Sequence, residues 1–133
     1  MSLVLLDTHV WAWSLLADDR LSAGAIEAIN SAETVLISAI SFYEIGQKIR
    51  LGKWPEMAPY HFELVDLAAL QGITVLDVSA AASLAASILD WTHRDPFDRI
   101  IGATALVEDV ALVSADVAFD DLKQLNKWPG RIW

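Results

Sequence analysis

The chain has 133 residues, enough for one domain with a single hydrophobic core, and 55% hydrophobic against 20% charged residues argues against disorder. Nine Lys and Arg residues against eighteen Asp and Glu residues give a formal charge of -9, which argues against a protein that binds nucleic acid by its own charge alone. The absence of cysteine excludes disulfides, thiolate zinc sites and thiol nucleophiles, so any metal ion has to be bound by oxygen or imidazole ligands.

The apolar runs of the sequence are far shorter than the ~20 residues that a membrane span requires. The first run, Leu3 to Leu6, is typical of a strand, and no signal-peptide pattern is present. We therefore expect a cytoplasmic protein with no membrane partner, in which residues 1–133 form a single domain without an internal linker or repeat.

The first half of the chain alternates short apolar runs with stretches of helical periodicity. The run Leu3 to Leu6 stops at Asp7 and is typical of a buried strand that ends on a carboxylate. A second strand is predicted from Val35 to Ile37, after which Ser38 is placed to cap a helix that Gly52 ends. Helices are predicted over residues 10–16, 22–32 and 39–51.

The same alternation continues through the second half. Ser79 and Asp95 each stand before a helical stretch and can serve as its N-cap. The predicted elements are, in order, a helix over 59–71, a strand over 73–76, a helix over 80–90, a helix beginning at 96, a strand over 111–113, a helical turn over 119–125 and an edge strand over 131–133. This alternation predicts an α/β fold with a parallel sheet covered on both faces, whose functional groups gather beyond the carboxyl ends of the strands.

Four acidic residues stand beside apolar runs, at predicted strand ends or helix starts: Asp7, Glu44, Asp98 and Asp116. If folding brings them together, two charges about 4 Å apart repel by about 4 kcal/mol at an effective dielectric near 20, and protonation or a cation has to offset that repulsion. Oxygen ligands of this kind suit Mg²⁺ or Mn²⁺. A water molecule activated by such an ion can attack a phosphodiester, so phosphodiester hydrolysis is the predicted reaction class.

Four segments of the chain resemble the ordered motifs of PIN-domain ribonucleases, and most of all those of the VapC-type toxins of toxin–antitoxin systems. They are Leu5 to Trp11, Ser38 to Ile45, His93 to Arg99 and Ser114 to Asp116. The resemblance implies a PIN-like three-layer α/β/α sandwich with a central, mostly parallel sheet. It also implies Mg²⁺- or Mn²⁺-dependent endoribonuclease activity on RNA and inhibition by a cognate antitoxin protein.

The resemblance assigns roles to individual residues. The catalytic and metal-binding quartet of the family falls on Asp7, Glu44, Asp98 and Asp116. Asp95 is a fifth acid, which either binds metal through water or only caps a helix. Thr8, Ser114 and Arg99 are auxiliary, and Ser114 keeps the hydroxyl of the Thr that relatives often have at its position.

Each acid also has a structural interpretation. Asp7 and Asp116 can be turn residues, and Asp98 can favour the positive end of a helix dipole. Glu44 can form a capping box with Ser41, although Ser38 is a competing cap that would leave it free. The three histidines lack the spacing of a metal site, and we expect surface or hydrogen-bonding roles for His9, His61 and His93.

The basic residues have two interpretations as well. Lys48 lies four residues after Glu44, as in a helical ion pair. With Arg50 and Lys53 it forms the densest basic stretch of an acidic chain, which can contact RNA phosphate. Arg99 can stabilise the acidic cluster or contact phosphate.

The tryptophans can stack on RNA bases, but large aromatic side chains more often pack in cores and interfaces. We therefore expect packing, including a homodimer surface, for Trp11, Trp13, Trp54 and Trp91.

Two other functions stay open at this stage. One is a catalytically degenerate PIN domain that binds RNA or protein, and the other is a different metal-dependent phosphoesterase, such as one that acts on DNA. An arginine of the antitoxin is suited to occupy the acidic site, because its guanidinium pairs well with carboxylates.

Overall fold

The computed structural model describes residues 2–133, which form a five-stranded sheet in the order β3-β2-β1-β4-β5 with every neighbouring pair parallel. The strands are Leu3–Leu6 (β1), Thr34–Ser38 (β2), Thr74–Leu76 (β3), Ala111–Val113 (β4) and Arg131–Ile132 (β5). All the predicted strands are present, and the last of them lies at one edge of the sheet, as expected.

The helices follow the predicted order. The α-helices are Thr8–Leu16 (α1), Ala23–Ser31 (α2), Ala39–Arg50 (α3), Leu64–Leu70 (α4), Ala80–Ile88 (α5) and Pro96–Glu108 (α6), and two 3-10 helices span Ala58–Glu63 and Val117–Gln124. The predicted helix over 59–71 is therefore half 3-10, because its first turns bury no side chain that would hold an α-helix against the core. Among the helices of residues 2–133, none is both long enough and apolar enough to cross a bilayer.

The core lies on both faces of the sheet, which gives a three-layer α/β/α sandwich. Side chains alternate along β1, so that Val4 and Leu6 pack against α1, α2, α3 and α4, whereas Leu5 packs against α6 and the second 3-10 helix. The side chains of β2 and β4 alternate between the two faces in the same way, and α5 packs beside α6. The predicted sandwich is confirmed, and it buries Val4, Leu5 and Leu6 of the central strand β1.

The order of the strands places a reversal beside β1. From β1 the chain adds β2 and β3 on one side and then crosses to add β4 and β5 on the other. In open α/β sheets, such a switch point leaves a crevice beyond the carboxyl ends of the two strands. The register pairs Leu6 with both Ile37 and Val113, so the residues that follow these three, Asp7 among them, emerge at one edge.

Candidate active site and metal centre

Asp7 lies at the centre of this edge, where it ends β1 and caps α1. Its Oδ1 accepts a hydrogen bond of 2.8 Å from the backbone N–H of Thr8, and its Oδ2 accepts one of 2.7 Å from the hydroxyl of Ser114. Ser114 is fully buried, and its oxygen also accepts the N–H of Asp116 at 3.0 Å. Asp7 is only 6% exposed. Its capping role therefore coexists with a fixed position in the crevice.

Glu44 reaches the same edge from the second turn of α3. Ser38 caps this helix through the N–H of Ile40, while Ser41 lies inside it and shares a 2.8 Å hydroxyl hydrogen bond with Thr8. The capping box considered for Glu44 is therefore wrong. Its Oε2 accepts a 2.6 Å bond from Nζ of Lys48, which confirms the predicted helical ion pair.

The second oxygen of Glu44, Oε1, is buried and has no hydrogen-bond partner among residues 2–133. Glu44 is 2% exposed, so water does not freely compensate for the missing bond. An unmade bond to a buried acceptor costs about 1–3 kcal/mol, and more for a charged group. An acceptor left in this state within an acidic cleft is suited to bind a cation.

The third motif reaches the site from the start of α6. Asp95 caps this helix through the N–H of Phe97 at 2.9 Å, and Asp98 lies in its first turn, as predicted. Oδ2 of Asp98 lies 2.7 Å from Nε2 of His93, and the histidine is the donor when Asp98 is ionised, because a carboxylate only accepts hydrogen bonds. Potential ligand atoms of His93, Asp98 and Asp116 all lie within 4.8 Å of one another.

The contact of His93 with Asp98 was not anticipated, because the two residues are five positions apart and no helical spacing relates them. Asp95, as N-cap, turns the chain so that the residue two positions before it folds back over the first turn of α6. The signal was present in the sequence, since a histidine just outside a capped helix start can reach a residue of the first turn, as a hydrophobic staple does.

These side chains line one cleft of about 380 Å³. Its lining comprises Asp7, His9, Trp13, Glu44, Lys48, His93, Asp95, Asp98, Ala115 and Asp116. The four predicted acids therefore converge, with the fifth acid, Asp95, beside them. Thr8 and Ser114 do not line the cleft, but both donate hydrogen bonds to the carboxylate of Asp7.

Burial and the charges of neighbouring carboxylates raise the pKa values of two of these acids, Asp7 and Asp98. Burial, opposed by the hydrogen bond from Ser114 and reinforced by the charges of Asp98 and Glu44, raises the pKa of Asp7 to about 7. Burial is also the main cause that raises the pKa of Asp98 to about 6, against the opposing hydrogen bond from His93. Asp7 and Asp98 therefore lack enough compensating positive charge, which a bound cation would supply.

The donors fit a hard divalent cation. They are carboxylate oxygens, among them the unpaired oxygen of Glu44, with the imidazole of His93 at the margin. Such a set suits Mg²⁺ or Mn²⁺ better than a thiophilic metal. The acidic cluster is thus able to bind a metal ion.

Arg99 was expected to stabilise the acidic cluster or to contact phosphate, and the structure gives it another role. Its guanidinium donates to the carbonyls of Ala86, Leu89, Trp91 and His93 at 2.8–3.0 Å and pairs with no carboxylate of residues 2–133. The carbonyls at the end of α5 and in the following segment have no helical N–H donors, and the planar guanidinium of Arg99 donates the hydrogen bonds instead. Arg99 thereby holds the segment that carries His93.

The remaining predicted residues separate into two groups. Lys48 lines the acidic cleft and Lys53 lines a neighbouring cavity, whereas the exposed Arg50 lines neither. Trp11, Trp54 and Trp91 are buried, with exposures of 0%, 7% and 7%, which confirms packing for these three. Trp13 is half-buried and lines the cleft, so packing does not account for its whole side chain.

The raised pKa values predict the pH dependence of the metal-free protein. Asp7 and Asp98 bind a proton more tightly in the folded than in the unfolded state, so their contribution to stability is complete below the ordinary value of 3.8. It is lost as pH rises to about 6 for Asp98 and about 7 for Asp7. Because Asn cannot ionise, Asp7→Asn should flatten this loss and unfold with a free energy higher by about 2–4 kcal/mol near pH 8.

Urea denaturation in the presence of a chelator, between about pH 5 and about pH 8, measures this effect. Asp66→Asn, a change of an exposed acid on α4, serves as the control and should keep the slope of the parent protein. A parent protein whose stability does not fall over this range would contradict the prediction.

Arg99→Lys should lower the free energy of unfolding by about 2–3 kcal/mol, because one ammonium cannot span the carbonyls that the guanidinium bonds. It should also weaken Mn²⁺ binding in calorimetric titrations, since His93 would lose its main-chain support. Arg94→Lys, a change of an exposed residue of the same segment, should stay within about 0.5 kcal/mol of the parent. Equal stabilities of the two variants would exclude the proposed clamp.

Known proteins similar to this chain were found both by sequence and by fold. The family model of the PIN domain matches residues 4–125. Ribonuclease VapC22 of Mycobacterium tuberculosis is 33% identical over 125 residues, which cover 87% of this chain and 88% of the relative.

Among solved structures, VapBC2 from Rickettsia felis bound to a DNA fragment from their promoter matches with a TM-score of 0.67 at 15% identity, over 98% of this chain and 99% of that one. A toxin–antitoxin complex from Klebsiella pneumoniae matches with a TM-score of 0.64 at 20% identity, over 93% of each chain. At these identities the structures support the fold alone. The family match and the ribonuclease relative confirm the resemblance found in the sequence, and the chain belongs to the PIN domain family.

Proposed function

We propose that this protein is a metal-dependent endoribonuclease that acts as the toxin of a toxin–antitoxin system. The observation that carries the proposal is the convergence of four carboxylates in one cleft at the switch point of the sheet. Membership of the PIN domain family and the likeness to ribonuclease VapC22 support it. An enzyme that meets cellular RNA works in the cytoplasm, which agrees with the location expected from the sequence.

Asp7, Glu44, Asp98 and Asp116 would hold the metal ion, which we propose to be Mg²⁺ or Mn²⁺. Bound there, such an ion would offset the charge of the scissile phosphate and would lower the pKa of an attacking water. His93 would bind the ion directly or hold Asp98 by the hydrogen bond that it makes now.

The surrounding residues set the orientation and charge of the acids. Ser114 fixes one oxygen of Asp7, and His93 fixes one oxygen of Asp98. Residues that orient metal ligands in this way keep them ready for the ion before it arrives. Lys48 neutralises one oxygen of Glu44 and places an ammonium in the cleft, where it can also approach a phosphate.

Purified protein freed of any inhibitor should cleave single-stranded RNA when Mg²⁺ or Mn²⁺ is present and should stop when a chelator is added. Asp7→Asn and Asp98→Asn should each lower the rate at least about 100-fold, since losing even a residue that supports a ligand costs roughly 10- to 100-fold. Gel analysis of end-labelled RNA measures the rate, with Asp66→Asn as a control of unchanged activity. Undiminished cleavage by Asp7→Asn would refute the assignment.

The same digestion separates the alternatives. A degenerate PIN domain would bind RNA without metal-dependent cleavage. The presence of all four acids in the cleft argues against this alternative. A phosphoesterase with another substrate would cut single-stranded DNA in preference to RNA. Cleavage of RNA alone would support the proposed enzyme.

We further propose a cognate antitoxin as partner. The Klebsiella pneumoniae neighbour is a toxin–antitoxin complex, and the acidic cleft is suited to an arginine, which pairs with carboxylates in bidentate fashion. The net charge of -9 favours a basic partner. The homodimer expected from the sequence stays a prediction.

A small protein encoded beside this chain should co-purify with it on joint expression and should inhibit RNA cleavage. Replacing the arginines of its terminal segment by alanine should restore cleavage, because the carboxylates would again be free to bind metal. Inhibition unaffected by these replacements would place the inhibitory contact outside the acidic cleft.

A further inference from the structure

A second cavity, of about 290 Å³, adjoins the acidic cleft. It is lined by His9, Trp13, Arg20, Lys48, Lys53, Trp54 and Glu56. Three of these residues, His9, Trp13 and Lys48, also line the acidic cleft, so the two spaces share a wall. We call the second space the aromatic–basic cavity.

The cavity concentrates the positive charge of an acidic chain. Arg20, Lys48 and Lys53 are three of only nine basic residues in the sequence. Arg20 pairs with Asp18 and Lys48 with Glu44, whereas Lys53 is exposed and forms no ion pair within residues 2–133. An ammonium without a partner beside a metal-binding cleft is placed to meet a second anionic group of the substrate.

The cavity also groups planar side chains. The ring of His9 stacks on Trp54 with centroids 4.6 Å apart, and its centroid lies 5.8 Å from that of Trp13. Cations cover these rings, with Arg20 5.1 Å from the ring centroid of Trp13 and Lys48 5.5 Å from that of Trp54.

Trp13 is the more exposed of the two tryptophans, although Arg20 lies over its ring and the ring centroid of Trp133 is 5.9 Å away. Trp54 is 7% exposed and belongs to the core, whereas Trp13 is half-buried and borders both spaces. An aromatic plane next to cations matches a nucleotide, whose base stacks on aromatic or guanidinium planes while its phosphate binds basic side chains. A base has to be unstacked from its neighbours for this contact, which selects single strands.

We propose that the aromatic–basic cavity is a subsite for one nucleotide of single-stranded RNA, next to the scissile phosphate, with the base against Trp13 and its phosphate held by Lys53. The proposal rests on the proposed endoribonuclease function, because the acidic cleft is taken to bind the scissile phosphate. It adds a residue that selects the substrate without touching the metal ion.

Fluorescence anisotropy of a labelled single-stranded RNA tests the subsite. All variants are made in an Asp98→Asn background, which lowers repulsion in the cleft and keeps the RNA intact. Trp13→Ala should weaken binding roughly 5- to 150-fold, the range reported by alanine substitution for one base stacked on an aromatic ring. Trp13→Phe should recover most of the affinity, because phenylalanine also offers a π face.

Lys53→Ala should weaken binding and reduce the slope of log affinity against log salt by about 0.7, the value for one phosphate contact on a single strand. Two changes outside both cavities serve as controls: Phe62→Ala removes an aromatic ring that is 95% exposed, and Lys123→Ala removes an exposed ammonium. Both controls should keep the affinity within about twofold, well below the effect of one lost base stack.

Several results would overturn the subsite. Unchanged RNA affinity in folded Trp13→Ala would do so, as would the absence of any recovery in Trp13→Phe. If Trp13→Ala does not fold, Trp13→Leu and the salt slope of Lys53→Ala decide, and parent-like values for both refute the proposal. A loss of affinity for the antitoxin alone would identify the cavity as a protein contact and refute the RNA subsite.

Failure of the subsite is distinguishable from failure of the proposed function. A protein that cleaves RNA with metal but binds it equally well after Trp13→Ala keeps the function and loses the subsite. A protein that binds RNA through Trp13 but cleaves none keeps the subsite and loses the enzymatic assignment.

Discussion

The hydrogen bond from Ser114 to Asp7 is the contact on which the site depends, because it joins residues 107 positions apart at the reversal of the sheet. Asp7 ends the central strand and caps α1, and Ser114 also receives the N–H of Asp116. One buried pair thus fixes the end of β1, the start of α1 and the turn after β4. The acids that approach from α3 and α6 are arranged around a carboxylate that is already in place.

Burial gives this arrangement its precision and its electrostatic cost. The burial of Asp7 and the partial burial of Asp98 make these two carboxyl groups hold protons more tightly, as their raised pKa values indicate. The hydrophobic layers on both faces of the sheet stabilise a site that is unfavourable without a cation. Arg99 contributes as well, because its guanidinium bonds carbonyls of the segment before α6. Functional sites commonly contain locally unfavourable arrangements, which the stability of the surrounding structure maintains.

The distribution of charge explains how an acidic chain can act on an anionic substrate. A net charge of -9 suppresses general attraction to nucleic acid, so binding has to come from the site itself. The acidic cleft needs a cation before it can approach a phosphate, and the adjoining aromatic–basic cavity offers Trp13 and Lys53 on the same side. This division favours RNA that engages both spaces over RNA that merely approaches the surface.

The sequence by itself determined the order of elements, the caps at Ser38 and Asp95, and the four acidic motifs, because capping bonds and apolar periodicity act within a few residues. Only the tertiary structure decided the carbonyl partners of Arg99 and the position of Trp13 between two cavities. Each of these depends on how separate segments meet in space. The burial of Asp7 and Asp98, which raises their pKa values, likewise results from packing across the sheet rather than from the residues next to them.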